Sequence, residues 1–195
     1  MRRVAIFVAV VATLVLACIA SAIWSVNTLL LAVRTGDVAA IVRQTDIPRL
    51  RGMLVAQIVD AYLERVGGRR QLERLAVAAY GPTVADAMVG KILDEGLTRL
   101  LRDGVVQDPA RPSSRLSFAP LGSLTPGEFV ELASRVRPFK LLEFDLRIGP
   151  STDPQIYTAA RFRFEGTQWR LSGLILPRAV AADIAAMIVE PAHHS

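Results

Sequence analysis

The sequence predicts an α+β protein in which an N-terminal membrane or signal helix precedes one folded domain. Three observations support this fold class. Residues 4–24 form an uncharged apolar run, residues 25–102 carry apolar side chains at helical spacing, and residues 140–176 alternate between apolar and polar side chains. We therefore expect a helical half followed by a three-stranded antiparallel sheet that packs on the helices.

The apolar run follows Arg2 and Arg3 directly. As a helix it would extend about 31 Å, close to the thickness of the hydrocarbon core of a bilayer. The two arginines predict that the N-terminus stays in the cytoplasm and that the domain from residue 25 to residue 190 lies on the outer side. We expect residues 1–24 to be a retained single-pass anchor.

Two other fates of this segment stay open. Ala20-Ser21-Ala22 has the small-x-small form that signal peptidase accepts, so cleavage after Ala22 would release the domain. Val15-Leu16-Ala17-Cys18 is similar to a lipoprotein box, so lipidation at Cys18 is the third alternative.

Two helix boundaries are predicted in the first part of the domain. Gly36 can adopt the left-handed conformation that ends a helix, and Asp37 can cap the helix that follows. Asp46 is a second N-cap before a long helix over 47–66, and Pro48 lies in its first turn, where a missing N–H costs no bond. We expect Arg49 and Arg51 to pair with Asp46, with an anion site as the alternative.

The next segments predict more helix and then a loop. Gly81-Pro82 should break the chain into a helix over 69–79 and one bent helix or two over 83–102, the second capped by Asp94. Residues 103–124 are rich in Pro, Ser and Gly without periodicity, which predicts a long loop and a candidate gate or partner surface. Thr125-Pro126-Gly127-Glu128 has the form of a capping box and predicts a helix over 126–135.

The period changes to two after this helix. Strands are predicted over 140–148, 156–165 and 168–176, with Trp169, Leu171 and Ile175 of the last strand facing inward. Glu143 and Asp145 lie on the opposite face, which we expect to be solvated, so helices should cover only the apolar face. A helix over 179–189 and a polar tail over 191–195 complete the chain.

Several short motifs resemble the bacterial domain-of-unknown-function family 2939. They are Ala32-Val33, Gly36-Asp37, Asp46-Ile47-Pro48, Arg51, Gln57-Ile58, Trp169-Arg170-Leu171 and Leu176-Pro177. The resemblance implies a small bacterial envelope protein with an N-terminal membrane or signal segment, a helical half followed by strands, and no assigned activity. It therefore places the domain in the periplasm, tethered to the inner membrane, and offers no catalytic residues to carry over.

The residues that carry common chemistries are scarce. The two histidines, His193 and His194, lie in the tail, and Cys18 is the single cysteine. We therefore expect no disulfide in the domain, no metal site and no cofactor. The net charge is +5, and the arginines are spread along the chain without a basic cluster, so we expect no nucleic-acid binding. The sequence does not indicate an oligomeric state.

These observations favour a non-enzymatic domain that contacts another envelope protein or a lipid. The helix surface around Arg49 and Arg51 and the 103–124 segment are the expected contact regions. One alternative is a carrier of a small molecule or lipid, and its apolar pocket would be lined by Phe144, Phe162, Phe164 and Trp169. A carboxylate enzyme that uses Asp37, Asp46 or Asp60 is less favoured, because capping already explains the first two.

Overall fold

The computed structural model describes residues 2–66, 71–108, 111–125, 134–140, 142–149, 151, 153 and 156–189. Its helices are α1 (Arg2–Thr35), α2 (Val38–Arg43), α3 (Ile47–Val66), α4 (Gln71–Asp103) and α5 (Arg178–Val189). Its strands are β1 (Val105–Asp108), β2 (Arg111–Ser117), β3 (Val136–Lys140), β4 (Glu143–Arg147), β5 (Ala159–Glu165) and β6 (Gln168–Ile175). The predicted α+β class is confirmed. The tail over 191–195 and residues 126–133 of the predicted capping-box helix lie outside the described residues.

Helix α1 is continuous over 34 residues and crosses the predicted boundary between anchor and domain. Its first part exposes its apolar side chains, and Trp24 is 76% exposed. From Val26 onward the helix joins the core, where Leu30 and Val33 are fully buried. The helix ends at Gly36, whose φ of 71° lets the Asp37 N–H reach the Ala32 carbonyl at 2.9 Å. One rigid element therefore joins the apolar segment to the folded domain.

Helix α4 corrects the predicted break at Gly81-Pro82. It runs unbroken from Gln71 to Asp103 with Pro82 inside it, and Asp94 is an exposed interior residue, not an N-cap. Pro82 lacks the N–H that would bond the carbonyl four residues earlier. Tyr80, Pro82 and Val84 are all exposed, so water can solvate the groups that the proline leaves unpaired.

The main sheet has four antiparallel strands in the order β3-β4-β5-β6, so the predicted three-stranded sheet is wrong. The missed strand is β3, which pairs with β4 and places Val136 opposite Leu146. Lys140, predicted to begin the first strand, ends β3 instead. Pro138 obscured this strand in the sequence, and it is tolerated there because β3 is an edge strand that needs no donor on its outer side.

The loop predicted over 103–124 is also wrong, because β1 and β2 form an antiparallel hairpin within it. Gly104 starts the turn out of α4 with a φ of 64°, and its carbonyl accepts the Phe118 N–H at 2.9 Å. Both strands of a two-stranded ribbon are edges, so Pro112 fits in β2. Val106, Phe118 and Leu121 are buried, which fixes the hairpin and the following turn on the core.

The two faces of the four-stranded sheet differ. One face carries Phe144, Leu146, Phe162 and other buried residues that form one core with apolar residues of α1, α3, α4 and α5. The register of β5 with β6 shifts at Ser172, so that Phe162 lies opposite Leu171 while Ala160 lies opposite Leu174. This bulge corrects the prediction for Ile175, because Leu174 takes the inward position in its place.

The outer edge of β6 is covered by the segment between α2 and α3. Thr45 forms a parallel bridge with Leu171, with the Leu171 N–H donating to the Gln44 carbonyl at 2.8 Å. Farther along the same edge, the Gln57 side chain of α3 donates to the Leu174 carbonyl at 2.8 Å and accepts the Leu176 N–H at 3.0 Å. Hydrogen bonds from backbone and side-chain groups thus pair N–H and C=O groups on the outer edge of β6 that would otherwise be open.

Candidate interaction surfaces

The two predicted capping aspartates bind backbone N–H groups at helix starts. The Oδ1 atom of Asp37 accepts the Ala40 N–H at 3.0 Å, and Oδ1 of Asp46 accepts the Arg49 N–H at 3.2 Å. The backbone of Asp46 also donates to the Leu171 carbonyl at 2.8 Å, so this residue starts α3 and attaches it to β6. Pro48 lies in the first turn of α3. These carboxylates have structural partners.

The two arginines after Asp46 have different partners. Arg49 pairs with Asp46 at 2.8 Å, as predicted. Arg51 instead makes a bidentate pair with Asp86 of α4, with both N–O distances at 2.6 Å. Its guanidinium lies against Gly90, where a Cβ atom would come within 2.9 Å of Arg51 Nη2. The charge of Arg51 therefore joins α3 to α4 and is not directed to an outside ligand.

The four aromatic residues predicted to line an apolar pocket pack on one another. The rings of Phe144 and Phe162 stack with centroids 5.2 Å apart, and Trp169 contacts Phe144 at 5.0 Å and Phe164 at 5.3 Å. Phe144, Phe162 and Trp169 are each buried. The rings themselves fill the space between the sheet and the helices.

A cleft of about 800 Å³ lies between α3, α5 and the end of β6. Asp60 lies in it, together with Gln57, Tyr157 and the displaced Ile175. Its charged residues have both signs: Asp60, Glu64 and Asp183 against Arg65 and Arg178. In the part of the chain that the structure describes, no group of three or more His, Cys, Asp or Glu side chains could hold a metal ion.

The polar face of the four-stranded sheet carries many charged side chains. Asp145 was expected to be solvated but is 8% exposed, because Arg161 on the next strand covers it with two hydrogen bonds of 2.7 and 2.8 Å. These hydrogen bonds raise the pKa of the Arg161 guanidinium above its ordinary value, against the opposing effect of burial. The Arg161 side chain is therefore a fixed cation at every working pH.

Strand register brings six basic residues to this face against three carboxylates. We call this surface the basic sheet face: Arg137, Lys140, Arg147, Arg161, Arg163 and Arg170, with Glu143, Asp145 and Glu165. The excess of three positive charges equals the net charge that the whole chain carries apart from Arg2 and Arg3. The expectation of evenly scattered arginines is therefore wrong at the level of the folded domain.

The charges on the basic sheet face are not all balanced. Arg163 and Arg170 lie directly opposite each other on β5 and β6, an arrangement of like charges that destabilises a sheet. Each reaches a carboxylate, Glu143 at 3.5 Å and Glu165 at 3.7 Å. Arg137 and Arg147 make no salt bridge with any described residue, and the buried Nε of Arg147 has no hydrogen-bond partner there.

Three comparisons relate this chain to known proteins. Residues 11–100 match the family model described as Protein of unknown function (DUF2939). This region belongs to the DUF2939 family. The DUF2939 region includes most of α1, all of α2 and α3, and most of α4, so it contains both capping aspartates and the Arg51–Asp86 pair. It ends before the sheet, so the motif around Trp169 lies outside it. The searches of curated proteins and of solved structures found no match.

The segment Ile6–Thr35, which overlaps the start of the DUF2939 region, is long and apolar enough to cross a membrane, with a mean hydropathy of 2.8. Among the described helices no other meets this criterion. Signal sequences have the same properties, so the segment is an anchor or a signal by composition.

Part of the basic sheet face is visible in the sequence as arginines that alternate with apolar residues in the predicted strands. Arg161 and Arg163 alternate with the apolar residues of the second predicted strand, and Arg147 and Arg170 do so in its neighbours. Summing the charges over the polar face of the predicted strands gives four arginines against three carboxylates, an excess of only one. Lys140 falls in phase with the apolar residues of the first predicted strand, so it was not counted. Arg137 could not be included, because β3 was not predicted.

Proposed function

We propose that this protein is a membrane-anchored envelope domain that acts without catalysis, by contacting another protein on the periplasmic side. The continuous helix α1 is the observation that carries this proposal. Its first part presents a ring of exposed apolar side chains, such as Phe7 at 69%, Leu14 at 64% and Leu16 at 66%. Water disfavours a surface of this kind, and a bilayer favours it.

The placing of charges and aromatic residues supports the same orientation. Arg3 lies at one end of the apolar stretch and the exposed Trp24 at the other, about 31 Å apart along a helix. Tryptophan is enriched at the membrane interface and arginine on the cytoplasmic side. This arrangement favours an N-terminus in the cytoplasm and a domain that begins just outside the membrane.

A contact function is favoured because the residue types that most enzymes use for catalysis are scarce here. Two of the three candidate carboxylates, Asp37 and Asp46, cap helices, while the third, Asp60, lies in the cleft between α3 and α5 beside the cations Arg65 and Arg178. The carrier alternative is not favoured by any described contact, since the rings of Phe144, Phe162 and Trp169 pack against one another.

The test is alkaline carbonate extraction of membranes that contain the full chain, followed by its intact mass. We expect the wild type to stay in the membrane at its full mass. Val11→Arg/Leu14→Arg should release it, since each arginine at the centre of a span costs about 3 kcal/mol. The control, Thr83→Arg/Thr167→Arg, adds the same charge at exposed positions of the domain and should remain in the membrane.

Two results would contradict the anchor. An extracted wild-type chain that begins at Ile23 would show cleavage after Ala22. A chain that begins at Cys18 with added mass would show lipidation there.

A further inference from the structure

The basic sheet face has cationic positions that the fold leaves open to an outside anion. Arg137 and Arg147 have no salt bridge with any described residue, and Arg163 faces Arg170 across the strands. The Arg163 side chain is 42% exposed and the Arg170 side chain 38% exposed. The guanidinium of Arg170 also donates to the Gln168 side-chain oxygen at 2.9 and 3.0 Å. A carboxylate placed between them would relieve like-charge repulsion and form charge-assisted hydrogen bonds.

The position of α1 limits which anion can reach this face. The helices, including α1 from Val26 onward, form their core with the opposite, apolar face of the sheet. A helix that packs in a layer on a sheet runs along the plane of that sheet. If α1 crosses the bilayer close to its normal, the plane of the sheet is roughly perpendicular to the membrane surface. Lipid headgroups then cannot lie flat against its basic face.

The pattern of charges also distinguishes between classes of partner. The six basic residues alternate with Glu143, Asp145 and Glu165, which fixes separate positive and negative positions. Such a pattern suits a protein surface with charges in matching places. Single-stranded nucleic acid would instead be expected to stack successive bases on aromatic residues. The described strand positions on this face carry none, and Tyr157, two residues before β5, is a single aromatic ring that interacts electrostatically with Arg161.

We infer that the basic sheet face is the docking surface for an acidic segment of a second protein that stands beside this domain on the same side of the membrane. The inference rests on the proposed membrane anchor for the orientation of the face. Charge-assisted hydrogen bonds from the guanidinium groups of Arg147, Arg163 and Arg170 to side-chain carboxylates would supply the recognition.

The test uses the full chain reconstituted in nanodiscs of neutral lipid, with polyglutamate as the acidic probe. We expect Arg147→Gln/Arg163→Gln/Arg170→Gln to weaken polyglutamate binding at least about tenfold. The matched control, Arg43→Gln/Lys91→Gln/Arg178→Gln, removes the same charge from exposed helical positions and should weaken binding about twofold or less. Thermal unfolding of both variants checks that each is folded.

Three results would overturn the inference. Equal losses in the two variants would mean that net charge alone attracts the probe. Preferential binding of single-stranded DNA over polyglutamate through the same three arginines would indicate a nucleic-acid partner. If anionic lipid in the nanodisc abolished the difference between wild type and the face variant, the face would be occupied by lipid. Carbonate extraction reports the anchor separately, so a failed anchor and a failed docking surface give different results.

Discussion

At the scale of single residues, glycine conformation makes the sharpest prediction. Gly104 and Gly166 both have φ near +64°, but a Cβ at Gly104 would collide with the Phe118 carbonyl, whereas a Cβ at Gly166 meets nothing within 4 Å. We expect Gly166→Ala to cost about 1 kcal/mol of unfolding free energy from backbone strain alone. Gly104→Ala should cost clearly more, about 3 kcal/mol, because the hairpin must also move.

Denaturant unfolding of the two variants measures this difference. Equal losses of unfolding free energy in the two variants would mean that a Cβ at Gly104 does not collide with the Phe118 carbonyl.

The cap at Asp46 gives a second prediction at this scale. Asp46→Ala removes the acceptor for the Arg49 N–H and should lower the unfolding free energy by about 1 kcal/mol. Asp46→Asn keeps an acceptor oxygen and loses only the charge that pairs with Arg49, so it should cost less than half as much. Chemical denaturation compares the three proteins, and identical stability of wild type and Asp46→Ala would refute the cap.

Local chemistry made these single residues predictable, whereas partners distant in sequence were not. Asp37 and Asp46 act within three residues of their own positions, so spacing alone identified their roles. Arg51 was expected to pair with Asp46, five residues earlier. Its partner is Asp86, 35 residues later, and this contact depends on how α3 packs against α4 and on the space that Gly90 leaves.

For whole elements, the unbroken helix α4 predicts a substitution that raises the free energy of unfolding. Pro82 occupies a helix interior, where proline is less favourable than alanine by about 3 kcal/mol. Part of this is offset because proline also restricts the unfolded chain, by up to about 1 kcal/mol. We therefore expect Pro82→Ala to stabilise the protein by about 2 kcal/mol, measured as an increase in unfolding free energy.

An exposed neighbour provides the control for this substitution. Thr83→Ala changes helix propensity by less than about 1 kcal/mol and leaves the backbone hydrogen bonds in place. If Pro82→Ala were neutral or destabilising while Thr83→Ala behaved as expected, the helix would be interrupted at residue 82.

The elements that the sequence predicted well are those with a clear period and unambiguous ends. Helix α3 has the bounds that capping and periodicity gave, and α2 begins directly after its predicted cap Asp37. The elements that were missed, β1, β2 and β3, are edge strands with polar or proline-containing sequences. Their stability comes from pairing with a neighbour, which a window of local sequence does not contain. The bulge at Ser172 was hidden for the same reason.

At the scale of the whole molecule, the basic sheet face shows the limit of sequence analysis most clearly. The arginines that form it come from four strands between residues 137 and 170, so in sequence they look scattered. The antiparallel pairing of the four strands places these arginines side by side on one face of the sheet. The fold class and the N-terminal apolar helix depend on local composition and were predictable, whereas the basic sheet face depends on the complete sheet.

The continuity of α1 gives the last prediction, which concerns how the domain depends on its N-terminal apolar segment. A chain that begins at Ile23 keeps every fully buried side chain of α1, including Leu29, Leu30 and Val33. We expect it to fold with a cooperative melting transition. A chain that begins at Leu31 loses Val26, Leu29 and Leu30, at about 1.5–3 kcal/mol each, which together approach the whole stability of a typical domain. It should show no cooperative transition in circular dichroism. If both chains melted alike, the second half of α1 would be dispensable to the core. The proposed anchor would then be joined to the domain by a detachable helix that could not hold the basic sheet face in a fixed orientation.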